Sequence, residues 1–178
     1  MALHLADIDD RTRQYMSKEL ELDLRESRLY FSRWFTEKAK RLYPDLLKKA
    51  IASGNDTTLA SDLSGPSIFV DEYEKQKPSG GTTMAAVPRN APEMFAEGEF
   101  NRFYIRGLCT RCLEEGKREV EIYRAKQVVN PRPESQARLG KHVDCEKLLG
   151  DLRQNIGVDT ALGVPAGPNS GLSVRIPR

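Results

Sequence analysis

Apolar positions recur at helical spacing along much of the chain, and the breaks between them are polar or rich in Gly and Pro. Asp9 and Asp10 supply N-cap chemistry, after which Met16, Leu20 and Leu24 repeat every four residues among charges of both signs. That is an amphipathic helix with a narrow apolar stripe. Leu29 to Phe35 then gathers the single tryptophan, Trp34, with Tyr30, Phe31 and Phe35, a segment expected to anchor the helices to something else. Pro44 disfavours a helical Tyr43, so a helix boundary is expected there, with a new helix opening at Pro44. Leu46, Leu47, Ala50 and Ile51 form its apolar face, Gly54 ends it, and a short helix capped by Asp56 follows through Leu63. Residues 1–63 therefore read as a helical region.

Residues 64–91 hold Pro66, Pro78, Gly80, Gly81 and Pro88 without a helical period, and predict a long extended connection. From Pro92 the helical period returns: Phe100, Phe103, Tyr104, Gly107 and Leu108 share one face of a long helix that ends before Gly116. Glu119 to Arg124 alternates with period two, a strand with Val120 and Ile122 inward. A loop containing Pro131 and Pro133 leads to a second helix, capped by Asp144, whose Cys145, Leu148, Leu149, Leu152 and Ile156 lie on one side. Residues 92–157 thus predict a compact α+β part. Residues 158–178 form a Gly/Pro-rich C-terminal arm with one strand candidate at Leu172 to Ile176.

The 178 residues carry 28 basic and 26 acidic side chains, a balance too even for a generic polyanion binder. No apolar run approaches the ~18 residues of a membrane span, and no signal-peptide core is present, so no membrane association is expected. The three cysteines, an odd number, favour a reducing compartment. The expected location is the cytoplasm, or a particle assembled in it.

Three constellations could carry chemistry. Cys109-x2-Cys112 followed by His142-x2-Cys145 supplies a Cys3His set for tetrahedral zinc, with a strand between the pairs as in treble-clef modules and HNH-type nucleases. Against it, Cys109 and Cys112 fall within a helix and Cys145 on an apolar face, where free cysteine behaves as a small buried hydrophobe. No metal or other cofactor is therefore expected, and zinc is the alternative. The second is basic: Arg124, Lys126, Arg132, Arg138 and Lys141 cluster around one acid, and Arg102 with Arg106 form an i, i+4 pair on the long helix. This set can meet phosphates or an acidic segment of another subunit, and Tyr123 beside Arg124 offers a possible stacking surface. Thirdly, His4 and His142 are the only histidines, and no nucleophile-elbow, phosphate-loop or metalloprotease motif occurs, which leaves an enzyme the minority reading.

The blocks KPSGGTTMAAVPRNAPEMFAEGEFNRFYIRGLC, EVEIYRAKQVVNPRPESQARLGK, LLGDLR and GVDTALGVPAGPNSGLSVRI, spanning Lys77 to Ile176, resemble a family of small uncharacterised phage and prophage proteins. That resemblance implies a role in a phage particle or its assembly. The combined expectation is an α+β protein that is a non-enzymatic assembly or interaction protein, its partners other subunits or copies of itself, with nucleic acid as a further possible partner. The alternative is a zinc-stabilised nucleic-acid-binding module resembling an HNH nuclease.

Overall fold

The computed structural model describes residues 2–157 and 170–178. It is an α+β protein built around one long helix. The elements in chain order are α1 (Asp10–Arg25), α2 (Glu37–Ser53), α3 (Asp56–Leu63), β1 (Glu72–Gln76), β2 (Thr82–Ala86), α4 (Ala91–Glu114), β3 (Glu119–Arg124), α5 (Pro133–Gln136), β4 (His142–Asp144), α6 (Cys145–Gln154) and β5 (Leu172–Arg175).

From Asn101 to Cys109 every residue of α4 is buried, because α1, α3 and α6 pack around it and the sheet of β3 and β5 also meets it. A helix enclosed on all sides has no solvated face on which to place its polar residues. The apolar core is continuous, joining Met16, Leu20, Tyr43, Leu47 and Leu59 from the first 63 residues to Phe100, Phe103, Val120, Leu148 and Val174 beyond them.

The sheet has the order β4-β3-β5, both pairs antiparallel. Val120, Ile122 and Val174 enter the core, while Glu119, Glu121 and His142 stay outside. The strand expected near Leu172 is β5, and it completes the sheet of its own chain instead of projecting as an arm. Asn101 donates to the Leu172 carbonyl at 2.8 Å and accepts from the Ser173 hydroxyl at 2.7 Å, so buried polar bonds fasten β5 to α4. The earlier part of the expected arm, 158–169, lies outside the described residues.

Pro44 does not break the chain where its geometry alone would place a boundary. It sits inside α2, which starts at Glu37 with the Thr36 hydroxyl accepting from Ala39 N–H at 3.1 Å. An interior proline costs about 3 kcal/mol. Its neighbour Tyr43 is fully buried against Phe31, Phe35 and Phe95, with ring centroids 5.9, 5.4 and 5.1 Å away. Three such pairs contribute roughly 0.5–1.5 kcal/mol each beyond the burial itself, a gain of the same order as the proline's cost. The cap of α3 also moves by one residue: Asn55, not Asp56, exchanges hydrogen bonds with Thr58, and the Asp56 carboxylate accepts from Leu3 N–H.

The connection 64–91 is extended, but its chain doubles back into the β1–β2 hairpin, whose turn uses Gly80 and Gly81 at φ 88° and 77°. Its base is held by the Phe35–Phe69 bridge and by hydrogen bonds from Thr36 to Ile68 and Val70 to Trp34. Trp34 packs on Tyr73 at 5.3 Å and the Arg33 guanidinium lies over the same ring. Beyond that base the two strands pair only with each other. No helix among the described residues is long and apolar enough to cross a membrane.

Candidate functional site

The seven cationic residues read as one contact surface separate into two groups. Arg102 and Arg106 lie inside the protein, 6% and 0% exposed. Arg106 gives its guanidinium to acids of α1: Nη1 and Nη2 donate to Asp23 at 2.6 and 2.8 Å, and Nε to Glu19 at 3.0 Å. Arg153 of α6 reaches the same Glu19 carboxylate at 2.5 and 3.0 Å. Burial works to raise the Glu19 carboxyl, but the hydrogen bond from Arg153 and the charges of Arg106 and Arg153 outweigh it and hold the group below the usual range. Arg102 donates to the Asn155 carbonyl at 2.7 Å and lies 3.4 Å from Glu99. The i, i+4 spacing was visible in the sequence, but it faces acids of α1 and the start of the C-terminal segment, not solvent.

The other five surround the end of β3. Arg124 donates to the Ser170 carbonyl at 2.8 Å and to Gln136 at 2.5 Å, and Lys126 is ion-paired with Glu97. Arg132, Lys141 and, less fully, Arg138 reach the surface. Arg132 caps α5 through its backbone, and its carbonyl accepts from Ser135 and Gln136 N–H at 3.0 and 3.1 Å, so the side chain is left outward by a fixed turn. Arg132 and Lys141 have no ion-pair partner among the described residues. Val129, three positions before Arg132 in the chain, is 95% exposed, the most solvent-exposed large apolar side chain described.

A cleft of about 570 Å³ opens beside this region, with His4, Tyr123, Arg124, Lys126, Arg175 and Arg178 among its lining. The arginines of the C-terminus were absent from the sequence reading, because only the pairing of β5 with β3 brings them here. Arg175 is committed to Glu121 at 2.7 and 3.1 Å, and this hydrogen bond holds the Glu121 carboxyl below its usual range. Tyr123 is not a free stacking platform. Its hydroxyl donates to the His4 carbonyl at 2.7 Å, and Arg175 covers its ring at 5.5 Å.

Cys109, Cys112 and Cys145 are free and fully buried where α4 meets α6. The Cys145 thiol shares hydrogen bonds with both of the others; that with Cys109, together with burial, pushes it up to about 12. Hydrogen bonding to Cys145, then burial, likewise raises Cys112. The Cys112 and Cys145 thiols are therefore neutral at ordinary pH and poor nucleophiles. His142 stands apart from them. It pairs with Glu121 in the register that puts Val143 opposite Val120, so strand alternation sends Val143 inward and His142 outward, its Nδ1 3.1 Å from Glu119. His142 therefore does not converge with the three cysteines, and among the described residues no group of three or more His, Cys, Asp or Glu side chains is placed to hold a metal ion.

Residues 51–100 hold 8 acidic and 3 basic side chains, and the hairpin displays part of that acidic excess as a surface. In the hairpin Glu72 and Glu74 lie on the face opposite Tyr73, and Glu74 stands directly across from Met84, which is 59% exposed. Ser79-Gly80-Gly81 followed by the strand-prone Thr82-Thr83 is the signal of the turn, within a stretch read as one extended connection because it has Gly and Pro and no helical period. No family model, no curated protein and no solved structure matches this chain.

Proposed function

We propose that the chain is a non-enzymatic assembly protein, a subunit of a larger particle of the phage type, that makes its contacts through exposed surface elements instead of a catalytic cleft. The observation that carries this reading is the β1–β2 hairpin. Eight of its ten strand residues are exposed, and an isolated two-stranded hairpin is marginal in water. Such an element gains order when its face or its open edges meet another surface. The exposed Met84 and Val129 support the same reading, since large apolar side chains left in water gain by being covered. So does the resemblance of Lys77 to Ile176 to small phage and prophage proteins. The test is to tag the chain in the organism that encodes it and to fractionate a native extract by size. Elution far above 20.1 kDa is expected; elution at the mass of one chain overturns the reading.

A further inference from the structure

We propose that the outer face of the hairpin, Glu72, Glu74 and Met84, docks on the exposed segment 129–141 of a second copy of this chain, which carries Val129, Arg132 and Lys141. The proposal rests on the assembly reading and names its partner. Strand alternation separates the two faces of the hairpin: Tyr73 turns toward Trp34 and Arg33 of its own chain, so Glu72, Glu74 and Met84 are turned away from it. Glu74 accepts from the Thr82 hydroxyl at 2.5 Å, which fixes the carboxylate across the strand pair. Neither Glu72 nor Glu74 is in an ion pair among the described residues, and the same holds for Arg132 and Lys141. Two unpaired acids thus share a hairpin face with an exposed methionine, and the segment 129–141 carries two exposed unpaired bases and an exposed valine. No hydrogen bond or ion pair joins these surfaces within one chain among the described residues.

Charge complementarity is what selects the occupant. A nucleic acid fits the basic surface but is repelled by the acidic one, whereas a second copy supplies both halves at once. Each copy carries one donor face and one acceptor face. The contact therefore either closes reciprocally about a two-fold axis or propagates head to tail. In both cases the charged pairs are exposed, so association weakens as salt rises.

The experiment uses the full chain and two charge-reversed variants, Glu72→Lys/Glu74→Lys and Arg132→Glu/Lys141→Glu, with sedimentation equilibrium as the readout. All four positions are exposed, and an unchanged helical circular dichroism signal checks the fold of each variant. Wild type is expected to associate, and each double variant alone to associate about ten-fold or more weakly, because like charges then face each other. An equimolar mixture of the two variants is expected to associate as wild type does. Wild-type association that survives either reversal overturns the proposal, as does a mixture that stays monomeric. A purified wild type that remains monomeric overturns it too. If that monomeric wild type binds a single-stranded oligonucleotide and loses the binding on Arg132→Glu/Lys141→Glu, the basic surface belongs to nucleic acid instead. A purified monomer combined with a large species in the native extract rejects the second copy and leaves the assembly reading standing; a monomer in both rejects both.

Discussion

Gly107 of α4 lies so close to Met16 of α1 that a Cβ at position 107 would stand 2.7 Å from both the Met16 amide nitrogen and its Cγ. Backbone meets backbone here, and the absence of a side chain is what lets α1 settle on the central helix. Gly107→Ala is expected to lower stability by roughly 1–3 kcal/mol, because the clash is with main chain that has to move as a unit. Gly98, on the same helix, has no atom within 4 Å of a Cβ. Gly98→Ala is expected to be neutral or to stabilise by about 0.5–1 kcal/mol through helix propensity. Thermal melts of the two variants check the contrast, and equal effects would show that helix propensity, not contact, decides both.

Arg106→Met is expected to destabilise by roughly 3–5 kcal/mol, the order of magnitude for removing one partner of a buried ion pair. The loss comes from Asp23, which the variant leaves buried beside Glu19 with no guanidinium between them. The denaturant midpoint measures it. A midpoint equal to that of the parent would mean that water reaches the two acids.

The pH dependence follows from Glu19. Its carboxyl is held below the usual value in the fold, so the stability it contributes is fully present above the unfolded-state value of about 4.3 and is lost as the pH falls through the folded value. Glu19→Gln is expected to melt well below wild type near neutral pH, with the gap narrowing from about pH 4.3 downward. A gap that stays constant into acid would assign the loss to packing alone.

Tyr43 is fully buried, and its hydroxyl finds no hydrogen-bond partner among the described residues. Burial raises the group well above its ordinary value, so it remains a neutral phenol. Tyr43→Phe is expected to keep the ring contacts with Phe31, Phe35 and Phe95 and to raise stability by about 1 kcal/mol, since the variant no longer desolvates an unmatched hydroxyl. Calorimetry settles the sign.

The parts of this fold that the sequence made legible are those with local causes. The apolar period from Phe100 to Leu108, Asp144 as the cap of α6, and the alternation of Glu119 to Arg124 each depend on neighbours a few residues away. The misreadings have distant causes. Pro44 stays helical because of rings brought from Phe31, Phe35 and Phe95. Arg106 looks like a surface charge until Glu19 and Asp23, 87 and 83 positions away, are brought to it. The candidate site was half visible for the same reason. Arg124 and Lys126 follow from a basic run, whereas Arg175 and Arg178 join them only through strand pairing.

The charges around Arg106 also settle how α1 can lie along α4. An apolar interface tolerates sliding, because one leucine replaces another with little loss. Advancing α1 by a single turn, about 5.4 Å, would leave only one of Glu19 and Asp23 at the guanidinium and carry the other away from it, so a buried charge would lose its partner. Arg106 therefore acts as a ratchet tooth between two helices, satisfied in full at one longitudinal position and penalising each neighbouring one.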